Sequence, residues 1–147
     1  MSKSIKLKDN NFIDSSGIVH NKQKLNEIIL NSVILYDNSD GSSGDITLSD
    51  SAENYQYIDI FYRNEAHHHA SMRVYSPNEK KVTLISMTQN NSGSYTGVYF
   101  RNKIVLISDT SIRTHLSSQF FITGNNACGM NLEASSLTFI TKVIGYK

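Results

Sequence analysis

From Val33 to the C-terminus, apolar and polar side chains alternate with a period of two, the spacing of strands whose two faces meet different surroundings. The clearest case is "NYQYIDIFYRN", Asn54 to Asn64. Here Tyr55, Tyr57, Asp59 and Phe61 are expected on one face, and Gln56, Ile58, Ile60 and Tyr62 on the other. "SVILYD" (Ser32–Asp37) reads as a buried strand, "ITLSD" as a short one, and "ASMRVYS", "KVTLISM", "SIRTHLSSQFFITG" and "SLTFITKVIGY" as further strands. "YTGVYFRNKIVLIS" is either one long strand or a hairpin about Arg101–Asn102–Lys103. Turn chemistry separates them: "NSDGSSGD", "PNEK" around the only proline, Pro77, and "QNNSGS". "NNACGMNLEAS" reads as a loop. Eight or nine strands at short, even spacing predict an all-β domain, an antiparallel β-sandwich or jelly-roll, over residues 33–147.

Residues 1–32 follow a different pattern. "IKL" suits a brief strand, while "DNN" and "DSSG" are turn signals. Asn21 is placed to cap a short N-terminal helix from about Lys22 to Asn31, with Leu25, Ile28 and Ile29 on one apolar stripe. Ten residues make a marginal helix, so the stripe must dock, either on the chain's own sheet or on another subunit. This part is therefore read as an attachment or oligomer-contact segment.

Composition narrows the function classes. The 147 residues carry 14 basic and 13 acidic side chains, net +1, which leaves no basic face for nucleic acid or an anionic membrane. There are 36 Ser and Asn residues, suited to turns and to a neutral, hydrated sheet surface. The single cysteine, Cys128, can form no internal disulfide, and no zinc spacing is present. The N-terminus lacks a signal-peptide core, and the longest aliphatic run, Ile104–Ile107, is too short to span a bilayer. Synthesis in a cytoplasm without a signal peptide is expected, with export only as part of a particle.

The run His67–His68–His69 raises the question of a metal. On a strand His67 and His69 would share a face, giving two ligands where a structural zinc needs four and a catalytic one three. A homotrimer with this strand beside its axis would gather six imidazoles. The plainer reading is a hairpin tip after Asn64–Glu65–Ala66. "DNSDGSSGD" fails the EF-hand pattern, with Ser42 and Leu48 at the places of its Gly and Glu. Without tryptophan, a sugar-stacking surface would rest on Tyr55, Tyr57, Tyr95 and Tyr99, spaced i, i+2 (Tyr57) and i, i+4 (Tyr99) in their strands. Asp59 is expected to face solvent or pair with a cross-strand Arg73. No nucleophile elbow, phosphate loop or dinucleotide fingerprint occurs, so neither an enzyme nor a cofactor is indicated.

Three segments carry a family resemblance. "IKLKDNNFIDSSGIVHNKQKLNEIIL" resembles the start of small structural proteins of tailed phages and prophages of low-G+C Gram-positive bacteria. "VILYDNSDGSSGDITLSDSAENYQYIDIFYRN" is similar to a module recurring in them, and "MRVYSPNEKKVTLISM" to the hairpin after it. The resemblance covers about Ile5 to Met87. It implies a virion structural protein of the tail fibre or baseplate, a receptor-binding module acting by assembly and host-surface contact. It further implies a homo-oligomer, most simply a trimer, with other virion proteins and host cell-wall glycans as partners. A virion-associated polysaccharide hydrolase and a head-fibre or decoration protein are the alternatives.

Overall fold

The computed structural model describes residues 11–13, 19–21, 31–90, 97–123, 127–131 and 137–147. The chain divides into two compact units, Met1–Ser32 and Val33–Lys147. In the first, β1 (Asn11–Ile13) and β2 (Val19–Asn21) form an antiparallel hairpin with Phe12 opposite His20. The expected helix, with Leu25, Ile28 and Ile29, lies outside the described residues.

The second unit is all-β, with two antiparallel sheets packed face to face. One sheet runs β3 (Ser32–Ser42), β11 (Thr138–Tyr146), β5 (Tyr57–Asn64) and β6 (His69–Tyr75). The other runs β10 (Cys128–Asn131), β9 (Ser111–Thr123), β8 (Gly97–Ser108) and β7 (Lys80–Asn90), with β4 (Ile46–Thr47) also on β9. Among the described residues the body has nine strands, and the sandwich expected from the alternation is what forms. Three local readings are corrected. "SVILYD" begins an edge strand, not a buried one: Leu35 is buried but Val33 and Ile34 are exposed. That strand runs on through Asn38–Ser42, where turn residues were expected, because Gly41 at φ +71 lets it pass close over Phe139. Finally, "CGMN" is not loop but the short edge strand β10, paired to β9.

Alternation builds the core. Ile58, Ile60 and Tyr62 from β5 meet Leu84 from β7, Val105 and Ile107 from β8 and Ile112 from β9. Two bulges keep the inward phase. In β11 the register slips at Thr141, so Thr138 and Ile140 point inward before it, and Val143 and Gly145 after it. In β9 the slip falls at His115. A strap from Leu48 to Ala52 closes one end, hydrogen-bonding Leu35 of one sheet and Asp109 and Thr110 beside the other. It ends in a 3-10 turn, Ala52–Asn54, held by Asp50, which accepts from Ser51 N, Asn54 Nδ2 and the Tyr55 hydroxyl.

Tyr62 and Lys103 are two of the polar side chains that join the sheets directly. The Tyr62 hydroxyl donates to the Ile85 carbonyl at 2.9 Å. Lys103, 1 % exposed, donates to the carbonyls of Ser43 and, at 3.1 Å, Thr138. Burial pushes its amine down to about 8, against a partial pull upward from the Asp45 carboxylate. The neutral amine still has two N–H groups for its two carbonyls.

Two outcomes follow for stability. Between about pH 8 and 10.5 the unfolded chain holds the Lys103 proton and the folded chain does not, so stability should rise with pH. Urea titrations at about pH 7.5 and about pH 10 should show wild type gaining on the order of 2 kcal/mol relative to Lys103→Met. Separately, a Cβ on Gly145 would lie 2.5 Å from the buried Tyr55 ring, so Gly145→Ala should lower stability by about 1–3 kcal/mol in the same assay.

Candidate functional site

The residues proposed for binding do not share one surface. Tyr55 was expected beside Tyr57 on a common face. Instead the chain bends at Gln56, and the Tyr55 ring turns into the core over Gly145. Burial, helped by the bond to Asp50, pushes its hydroxyl up to about 12. Tyr57 does lie on the outer face of its sheet, in a row with Tyr75 of β6 and Tyr146 of β11. Tyr57 stacks on Tyr146 at 4.6 Å and meets Tyr75 at 5.5 Å. The Arg73 guanidinium covers Tyr57 at 4.3 Å while holding Asp59 through two bonds of 2.8 and 2.7 Å, the cross-strand pair expected from the sequence. This row is therefore a self-packed cap rather than an open stacking platform. Tyr95 lies outside the described residues, and Tyr99 points the other way, into the sandwich.

The histidines sit at the tip of the β5–β6 hairpin. His67 and His68 are not on a strand: His67 has φ 60 in the turn, and only His69 joins β6, opposite Arg63. His67 and His69 therefore do not form the same-face strand pair expected for them. Among the described residues no group of three or more His, Cys, Asp or Glu side chains is gathered. In "DNSDGSSGD" Asp37 pairs with Lys142 at 3.0 Å, and Asp45 accepts from Thr114 N at 2.8 Å.

Asn64 organises the tip. Fully buried, its side-chain oxygen accepts from Ala66 N and His68 N, both at 3.0 Å. Its Nδ2 donates to Thr88 Oγ1 at 2.9 Å and to the Met87 carbonyl. The Thr88 oxygen also accepts from Arg101 Nη1, and Arg101 Nη2 forms an ion pair with Glu65. One network thus clamps the turn onto the inner face of β7 and β8. Beside it opens a cleft of about 380 Å³ lined by Glu65, Ala66, Thr88, Gln89, Tyr99 and Arg101. Its lining holds one carboxylate, whereas glycoside hydrolysis ordinarily takes a pair. Except for Tyr99, the sequence reading assigned none of these residues to a site. The available signal was Arg101 and Lys103 falling in phase with Val105 and Ile107, two cations on an inward face.

A second surface lies on the outside of the same sheet. Register places Met87, Phe100, Phe120 and Met130 side by side across four strands. Gln89, Val98, Ile122 and Cys128 form the next row, and Thr83, Ile104 and Leu116 another further along. Among the described residues, seven of the ten exposed large apolar side chains lie on this face: Ile85, Met87, Leu106, Leu116, Phe120, Ile122 and Met130. Together they expose on the order of 600 Å², the upper end for a monomer's largest apolar patch.

Comparison with models of known protein families and with curated protein sequences returned no match.

The Asn64 network yields a direct test. Asn64→Ala strips partners from two turn amides and takes a donor from Thr88 Oγ1 and from the Met87 carbonyl. It should cost about 2–4 kcal/mol, with hydrogen-exchange protection of the His68 amide lost first.

Proposed function

We propose that this protein is a structural component of a phage particle that works by assembly, with the outer face of β7–β10 as its contact between copies. The observation that carries this reading is the uncharged row Met87–Phe100–Phe120–Met130, in which Phe100 and Phe120 lie 6.3 Å apart. Among the described residues Met87, Phe120 and Met130 of this row stay exposed, whereas Arg73 lies over Tyr57 on the opposite sheet. Turned toward the same face of neighbouring copies about a shared axis, the row would be buried as the sandwich's own inner faces are buried. Further copies of this chain are the natural occupants: the charges Lys81 and Arg113, on either side of Leu106, lie toward one end of the face, and symmetry repeats the apolar rows against themselves.

The particle, and a tail-fibre or baseplate station within it, rest on the sequence resemblance over Ile5–Met87. So does the proposed stoichiometry of three. Host-surface contact by many weak copies acting together completes the reading. The hydrolase alternative gains nothing from the Arg101 cleft, whose single carboxylate is already ion-paired.

Native mass in solution tests the proposal. Wild type should run as a stable oligomer at micromolar concentration, with a trimer mass. Phe120→Lys should run as a monomer with an unchanged β-type circular-dichroism spectrum, because that side chain faces outward. A monomeric wild type overturns the reading, as does a Phe120→Lys oligomer.

A further inference from the structure

We propose that the cleft between the Asn64–His69 turn and the inner face of β7–β8 binds a neutral, hydroxyl-rich ligand, a sugar unit stacked on Tyr99 and hydrogen-bonded by Arg101, Glu65 and Thr88. The inference deepens the host-contact part of the reading above and rests on it. It does not depend on the assembly face, which lies on the other side of the sheet.

Three observations carry it. First, charge is balanced within the site. The Arg101 guanidinium is met by Glu65, so neither an anion nor a cation finds an unmatched opposite charge. Second, hydrogen-bonding capacity is left over. The Arg101 side chain is 9 % exposed, yet its Nε–H has no partner among the described residues. A buried donor without an acceptor is costly, and a ligand oxygen that meets it recovers that cost. The Thr88 oxygen accepts from both Arg101 and Asn64, which leaves its own hydrogen to donate. One Glu65 oxygen remains to accept. Donors and acceptors side by side suit hydroxyl groups, which are both. Third, the Tyr99 ring, half-buried and 5.6 Å from the guanidinium, gives an apolar wall for the C–H face of a sugar. The volume of about 380 Å³ is at the small end of ligand pockets and suits one or two rings.

The ligand reaches Nε–H by a small rotation of the guanidinium toward the cleft, with Thr88 and Glu65 holding its other two nitrogens. Discrimination should be sharp. A site with an unpaired buried donor rejects analogues that lack the matching hydroxyl far more strongly than an apolar pocket rejects a missing methylene.

Arginine Nε–H signals resolve well in nitrogen–proton correlation spectra, so the test reads Arg101 directly. The full chain is titrated separately with glucose, galactose, N-acetylglucosamine and rhamnose, and with sodium acetate and inorganic phosphate. Native mass is recorded on the same samples. The expected result is a saturable shift of the Arg101 Nε–H signal with at least one sugar and with neither anion. Affinity should fall at least tenfold in Tyr99→Leu, which keeps bulk but loses the ring and hydroxyl. Since Glu65→Gln loosens the turn, it serves only as a second variant, expected to weaken sugar binding while the remaining amide signals hold. No shift with any of the four sugars overturns the proposal, as does a shift with acetate or phosphate alone, or binding unchanged in Tyr99→Leu. An oligomer without sugar binding sinks this inference and leaves the assembly reading intact. A monomer that binds sugar does the reverse.

Discussion

Two cations on the inward face of β8 set the terms for one half of the sandwich. Arg101 and Lys103 stand in phase with Val105 and Ile107, so the same alternation that builds the core also takes two charges out of water. Each must find partners across the gap between the sheets. Lys103 reaches the backbone carbonyls of Ser43 and Thr138 and gives up much of its basicity. Arg101 keeps its charge and draws in Glu65 and Thr88. The position of the β5–β6 turn, the burial of Asn64 and the existence of the cleft all follow from that pairing. At the end closed by the strap, Ile107 and Ile112 join Leu35 and Ala52 in the apolar cluster, and the Tyr55 phenol brought in there is met by Asp50.

The two outer faces meet the solvent in different ways. On the β3–β11–β5–β6 sheet the aromatic row is folded down on itself, with Arg73 lying over Tyr57 and anchored by Asp59. Cation, carboxylate and rings satisfy one another. On the β7–β10 sheet the outward rows mix apolar side chains with Thr83, Gln89, Asn102 and Ser118, and charge enters at one end, where Lys81 and Arg113 flank Leu106. The one molecule thus displays a finished surface and an unfinished one, on opposite sides of a common core.

Much of this was legible in the amino-acid order. Alternation from Val33 onward gives the strand count and the sandwich, and the facing of Ile58, Ile60 and Tyr62 against Tyr57 and Asp59 comes directly from period two. The Asp59–Arg73 pair could be anticipated because both are mid-strand polar residues on adjacent strands. What escaped has physical causes. Tyr55 sits one residue before the strand, where a bend at Gln56 breaks the period, so counting by twos put it on the wrong face. Gly41 permits a strand to continue through residues that otherwise signal a turn. The histidine run looks like strand chemistry, but Asn64 captures the amides of Ala66 and His68 and winds the chain into a turn there. The Arg101 cleft needs residues from Glu65 to Arg101 brought together by tertiary folding, which no local spacing announces.

The bulge at Thr141 bears on how chain length is counted in this protein. Ahead of it the even-numbered residues of β11 face the core; beyond it the odd-numbered ones do. Removing that single residue would not simply shorten the strand. It would turn the terminal segment over, presenting Lys142 and Ile144 to the interior and Val143 to water. An insertion or deletion here is thus an inversion of faces, and homologues aligned across this strand should be compared by parity before they are compared by residue type.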